Sequence, residues 1–332
     1  MNRIPSLDGV RALAILLVMW GHWAEVRFHS SIAGAYASLG RRIFFVLSGY
    51  LITMLLMKEI DKTSTIRLRR FYLRRAYRIL PAAIVFMVVV FAIFWHELRW
   101  YHMAAAAFYV VNYDYAHPWY LGHLWSLSVQ EQFYFLWPGV LRKWGRHRVR
   151  IVVGAIVAAP VFRVLCHLAG LRGRTDEAFP VVADILAIGC LLALFSKRLP
   201  TIRAGWAALM LIPVLLVPVY MGALRFHTTA VLLLVLWPLL HFSIAGLLLY
   251  VVQRPFRILN VQPMVWLGQL SYGLYLWQQL FAFGERPRPW YFPLFAVGLA
   301  AASYYLLEQP MIRLRERRVE RRRAARALAA AA

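Results

Sequence analysis

Three residues that could do chemistry fall on one side of the first apolar stretch: Asp8, Arg11 and His22. Arg11 and His22 are eleven residues apart. At about 100° per residue that spacing is three turns plus roughly 20°, so on a helix both side chains share a face. Asp8, one turn before Arg11, joins it. The axial rise puts His22 about 16 Å from Arg11. Ionisable groups inside apolar runs are costly, which marks them as functional by default. A neutral imidazole in a dry pocket can take a proton from a hydroxyl as a general base. The other role open to His22 is a structural hydrogen bond to a neighbouring helix. Its alignment with Arg11 and Asp8 favours the base.

A second group lies in Arg69-Arg70-Phe71-Tyr72-Leu73-Arg74-Arg75-Ala76-Tyr77-Arg78-Ile79-Leu80-Pro81. Arg75 and Arg78 share a helix face, and two guanidinium forks suit a phosphate-bearing ligand. The same cluster also reads as a basic anchor on anionic lipid. A third group is His123-Leu124-Trp125-Ser126-Leu127-Ser128-Val129-Gln130-Glu131-Gln132. Glu131 falls about 12 Å along its helix from His123, near the expected depth of His22. There a carboxylate orients an imidazole, pairs with an arginine, or partners another buried polar group. Arg163 and Asp184 fall on consecutive apolar runs at similar depth and read as a buried ion pair joining two helices, with substrate contact as the other role.

The elements that must hold these groups follow from composition. Of 332 residues, 62% are hydrophobic. At about 20 residues per crossing that supplies about ten crossings and little else. This excludes a soluble enzyme, a disordered chain and a receptor with a large outer domain. The net charge is +24, but the basic residues sit in short runs between apolar segments. That pattern orients membrane proteins and argues against nucleic acid as a partner. Cys166 and Cys190 lie inside apolar runs as small hydrophobes, and no metal-ligand spacing occurs. No cleavable leader is expected, since Arg11 and His22 interrupt the first run.

Apolar runs fall near 8–28, 43–57, 80–98, 102–116, 123–141, 151–170, 178–195, 204–222, 228–252, 264–283 and 290–309. If all eleven cross, the basic cluster at 142–150 lands outside. If 102–116, broken by Asn112 and Asp114, does not cross, every basic cluster faces the cytoplasm. The expected fold is therefore an all-α integral membrane protein. It has about ten transmembrane helices, both termini cytoplasmic, and a re-entrant or interfacial segment near 102–116. Residues 1–312 form one polytopic domain, and 313–332 form a basic Arg/Ala-rich cytoplasmic tail lying on the surface or disordered.

Taken together the motifs resemble membrane-bound acyltransferase family 3, the bacterial sugar O-acyltransferases. The matching pieces are Leu7-Asp8-Gly9-Val10-Arg11-Ala12-Leu13-Ala14 with His22, Phe44-Phe45-Val46-Leu47-Ser48-Gly49-Tyr50-Leu51, the Arg70–Pro81 stretch, and Leu124-Trp125-Ser126 through Trp137-Pro138. Asp184 with Gly189, and Ser271-Tyr272 through Trp277, also fit, so the match runs in order from end to end. The resemblance implies ten transmembrane helices in a bacterial inner membrane. It implies transfer of an acyl group, usually acetyl, from cytoplasmic acyl-CoA to a hydroxyl of a carbohydrate or lipid-linked glycan, without a metal. His22 and Arg11 correspond to the family's essential pair, and Arg75 and Arg78 to its Arg-x-x-Arg motif. On this reading His22 and Glu131 are catalytic, and Arg11, Arg75 and Arg78 bind the donor. Asp8, Gln130, Arg163 and Asp184 support them. Two positions depart from the pattern: Gln130 stands where Glu is usual, and Gln278 where many members have His. The rival classes are a transporter or exporter that keeps the fold without chemistry, and a structural subunit of an envelope assembly.

Overall fold

Two arginines in succession, Arg41 and Arg42, interrupt the apolar pattern of the second run, yet the helix there does not break. The computed structural model describes residues 5–171, 177–224, 232–282, 289 and 291–331. Among them every regular element is helical: α1 (Pro5–Phe28), α2 (Ser31–Thr63), α3 (Leu68–Phe94), α4 (Trp100–Ala107), α5 (Trp119–Gly122), α6 (Leu124–Trp144), α7 (Arg148–Leu168), α8 (Phe179–Phe195), α9 (Ala204–Ala223), α10 (Trp237–Gln253), α11 (Gln262–Ala282), α12 (Phe292–Ser303) and α13 (Gln309–Ala331). Among the described residues six stretches are long and apolar enough to cross a membrane: α1, α2, α3, Trp119–Leu168, α9 and Leu232–Gln253. The fourth is 50 residues long and is interrupted by a 3-10 turn at Gly145–His147. The chain is a multi-pass membrane protein.

Three segment boundaries differ from those the hydropathy suggests. α2 begins at Ser31, with the Ser30 hydroxyl accepting from the Ala33 amide at 3.3 Å, and runs through Arg41 and Arg42. Arginine is a good helix former, and both guanidinium groups find partners inside the protein. α3 starts at Leu68, because its arginines belong to the helix rather than to a preceding loop. α13 passes through the 312/313 boundary without a break.

The 102–116 run does not form one helix. It is an eight-residue helix, α4, followed by a 3-10 turn at Val111–Tyr113. The polar residues that interrupt its hydropathy hold it in place. Gln132 of α6 donates to the Tyr109 carbonyl and to Asn112 Oδ1, each at 2.9 Å. The Val111 amide donates to Ser128 Oγ at 3.2 Å, and His102 Nδ1 lies 2.7 Å from Asp114 Oδ2.

Helices α1 and α2 pack along each other, α1 also packs on α11, and α2 on α8. Small residues allow the α2–α8 approach, as expected where helices associate by close packing in lipid. A Cβ at Gly49 would collide with the Leu186 carbonyl, and one at Gly189 with the Val46 carbonyl. Buried apolar side chains form two clusters. One is built mainly from α2, α6, α8 and α10, the other mainly from α1, α3, α11 and α12. Phe44 and Trp125 pack against both, so the seam between the cores runs past these rings. Both cysteines are buried and free.

Candidate functional site

Along that seam lie two clefts, near opposite ends of α1. The first encloses about 880 Å³, partly open to solvent, between α1, α2, α3, α6 and α11. Among the residues that line it are four arginines, Arg11, Arg41, Arg75 and Arg78, and one acid, Glu131. That excess of positive charge within low-dielectric walls attracts anions. Arg11 Nη1 lies 3.5 Å from Asp8 Oδ1. Arg75 donates to Glu131 Oε1 at 3.2 Å, and its guanidinium sits 3.3 Å from the centroid of the Tyr134 ring. The Tyr134 hydroxyl donates to Ser48 Oγ at 2.8 Å, which fixes the ring. Ser48 and Arg75 thus come from different motifs of the sequence and meet through Tyr134.

The second cleft encloses about 680 Å³ and is lined by His22 and Glu25 of α1, with His117, Trp119, His123, Trp125 and Glu177 around them. Arg41 and Tyr275 line both clefts. They are the wall between them.

His22 is 6% exposed and both ring nitrogens are engaged. Nδ1 lies 3.1 Å from Gln278 Oε1, and Nε2 lies 3.1 Å from Arg41 Nη1. An amide oxygen only accepts and a guanidinium only donates, so the proton is on Nδ1 and the lone pair on Nε2. The sense of the amide is fixed in turn. Gln278 Nε2 donates to Gln279 Oε1 at 3.4 Å, and Gln279 Nε2 donates to the Trp119 carbonyl at 2.6 Å. Gln278, which stands where many members of the family the sequence resembles have histidine, therefore fixes the His22 tautomer, with the Nε2 lone pair aimed at the wall between the clefts.

The structure brings Arg11, Arg75, Arg78, Gln130 and Glu131 to one cleft and His22 to the other. Of the roles the sequence leaves open for Glu131, the geometry has the arginine pairing: its partner is Arg75, whereas the imidazole is oriented by Gln278. Arg163 and Asp184 stand apart from both clefts. Arg163 Nη2 is 2.8 Å from Asp184 Oδ1 and both are buried. His241 Nδ1 lies 3.2 Å from Asp184 Oδ2, and Arg42 donates to His241 Nε2. The Arg42 and Arg163 guanidinium groups lie 4.1 and 4.6 Å from the Trp237 ring centroid. Consecutive residues on a helix point about 100° apart, so Arg41 faces the site while Arg42 faces this network.

Sequence reasoning missed Arg41 and the second cleft's other polar groups. Arg41 was detectable as half of an arginine pair set before an apolar run. Glu25, one turn after His22, was detectable by the same spacing argument that joined Asp8 to Arg11. In this cleft His117 Nε2 lies 3.7 Å from Glu177 Oε2, and the nearby carboxylate raises the imidazole's pKa. Among the described residues no group of His, Cys, Asp and Glu could hold a metal ion.

Residues 4–308 match the family model described as "Acyltransferase domain". Peptidoglycan O-acetyltransferase OatA of Listeria monocytogenes is 31% identical over 317 residues, covering 82% of this chain and 48% of OatA. YrhL of Bacillus subtilis, named as a candidate peptidoglycan O-acetyltransferase, is 30% identical over 367 residues, covering 93% of this chain and 55% of YrhL. A Staphylococcus aureus protein named as a candidate O-acetyltransferase is 37% identical over 160 residues, 42% of this chain and 25% of its own. The chain thus spans about half the length of the first two relatives. No solved structure matches.

Proposed function

The chain belongs to the acyltransferase family whose model it matches over residues 4–308, and on that premise we propose that it moves an acyl group, in the first instance acetyl, from cytoplasmic acyl-CoA to a glycan hydroxyl. The arginine-lined cleft receives the phosphates of the donor, with Arg11, Arg75 and Arg78 as ligands. The acyl end reaches toward the wall formed by Arg41 and Tyr275. The acceptor enters the second cleft, whose Trp119 and Trp125 rings suit the apolar faces of a sugar. His22 Nε2 takes the proton of the attacking hydroxyl. OatA is named for peptidoglycan, which directs the choice of acceptor toward cell-wall glycan.

The carrying observation is that His22 has a fixed tautomer and points its lone pair at the boundary of two clefts, one of them basic. A transporter has no need of that pairing. On the same reading α1–α3 and α6–α12 make ten crossings of a bacterial cytoplasmic membrane, with the segment of α4 and the Val111–Tyr113 turn re-entrant. Both termini are cytoplasmic, residues 1–312 form one catalytic membrane domain, and the arginines of 313–332 lie on the inner surface. The test is release of free CoA from acetyl-CoA by purified protein, wild type beside His22→Ala. Release that depends on His22 is expected. Equal release from both would remove the base.

A further inference from the structure

Arg41 occupies the place that an acceptor hydroxyl must take. Its Nη1 is 3.1 Å from His22 Nε2, the nitrogen whose lone pair the reaction needs. It carries only donors and stays charged, so its contact holds the imidazole neutral. Arg11, Arg75 and Arg163 each have a carboxylate within ion-pair distance. Among the described residues Arg41 has none within that distance; Glu25 of the same cleft lies near enough to interact with its charge, and the guanidinium is 5.8 Å from the centroid of the Trp125 ring. It lines both clefts. A cation held by no ion pair thus stands where donor carbonyl and acceptor hydroxyl would meet.

We infer that Arg41 is a catalytic residue: displaced from His22 Nε2 by the acceptor hydroxyl, it donates to the thioester carbonyl oxygen and stabilises the charge that develops there. This rests on the reading of His22 as base. In the addition step the acceptor O–H bond breaks and its proton passes to Nε2. The acceptor oxygen bonds to the carbonyl carbon, and the carbonyl π pair moves to oxygen, facing the guanidinium. In the collapse that pair re-forms the carbonyl and the C–S bond breaks. The sulfur takes the proton from Nε2, leaving an ester and the free thiol of CoA. Tyr275, whose hydroxyl donates to the His123 carbonyl at 3.1 Å, keeps the opposite side of the wall in place.

The experiment measures CoA release from acetyl-CoA in proteoliposomes, with N-acetylglucosamine oligosaccharides on both faces as the probe acceptor. Wild type, Arg41→Ala, Arg41→Lys and His22→Ala are compared. Loss of one oxyanion donor costs about 10²–10³-fold in kcat, and that loss is expected for Arg41→Ala with KM for acetyl-CoA unchanged. Arg41→Lys should recover part of it, and added methylguanidinium should restore turnover to Arg41→Ala. Neither rescue is available to a residue that only props the fold. The inference is overturned if Arg41→Ala keeps wild-type kcat while His22→Ala is inactive, or if its defect lies wholly in KM for acetyl-CoA. If His22→Ala also keeps wild-type kcat, the reading of His22 fails first and the role of Arg41 falls with it.

Discussion

Replacing Gln278 with Leu, close to it in volume, removes the oxygen that His22 Nδ1–H uses together with the longer 3.4 Å bond from Gln278 Nε2 to Gln279 Oε1. Gln278 is 1% exposed, so no water replaces the lost acceptor. A buried donor left unsatisfied costs about 1–3 kcal/mol. That cost falls mainly on the transition state, because the Nδ1–H becomes more acidic and bonds more strongly to the 3.1 Å acceptor once Nε2 takes a proton. At about 1.36 kcal/mol per tenfold in rate, kcat should fall about 5- to 160-fold. The assay is CoA release at saturating acetyl-CoA, with donor affinity measured separately by calorimetry. Gln278→Glu, which keeps an acceptor, should lose less than Gln278→Leu. A Gln278→Leu enzyme within twofold of wild-type kcat, or one whose only defect is weak donor binding, would refute the role given to this glutamine.

Asp184→Ala leaves the Arg163 and Arg42 guanidinium groups buried without their carboxylate, and should destabilise by about 3–5 kcal/mol, read as loss of folded protein in detergent. The double change Arg163→Met with Asp184→Leu should recover part of that, Arg42 and His241 still lacking the carboxylate, and no recovery at all would show that the pair is more than a structural tie. Gly49→Ala or Gly189→Ala should cost about 1–3 kcal/mol by overpacking the α2–α8 contact, seen as a lower thermal midpoint, whereas Gly139→Ala, with open space around it, should not. The His117–Glu177 contact adds stability that is full below the ordinary imidazole pKa and is lost as pH rises through the raised one. Both groups are partly exposed, so the effect is at most about 1 kcal/mol. Glu177→Gln should flatten the stability profile between neutral and mildly alkaline pH.

The all-helical, multi-pass character of the chain could be read from hydropathy because lipid demands long apolar runs, and the break in the 102–116 run was visible in Asn112 and Asp114. The face shared by Arg11 and His22 followed from helical periodicity, and the two ended at different clefts because they sit about three turns apart. What periodicity could not supply was partnership between helices. Gln278 lies 256 residues from His22 and looked like a missing ionisable group. It is the acceptor that sets the tautomer. Arg41 escaped because a hydropathy window treats arginine as the edge of a span, while an arginine inside a helix costs little in propensity. The axial rise put Glu131 near the depth of His22, yet it lines the other cleft beside Arg75, and which neighbour it met depended on the rotation of α3, which no single sequence encodes.

The wall of Arg41 and Tyr275 also bears on the electrical tightness of the membrane. Two wet clefts that approach each other from opposite ends of one helix come close to making a pore. A continuous water path would let protons and sodium ions run down their gradients, each driven by about 2.3 kcal/mol per 100 mV. A fixed positive charge at the narrowest point repels every cation, as arginines do in water-conducting channels. On the proposed reading, two reactants then meet across the bilayer while the ion gradients on either side of it are preserved.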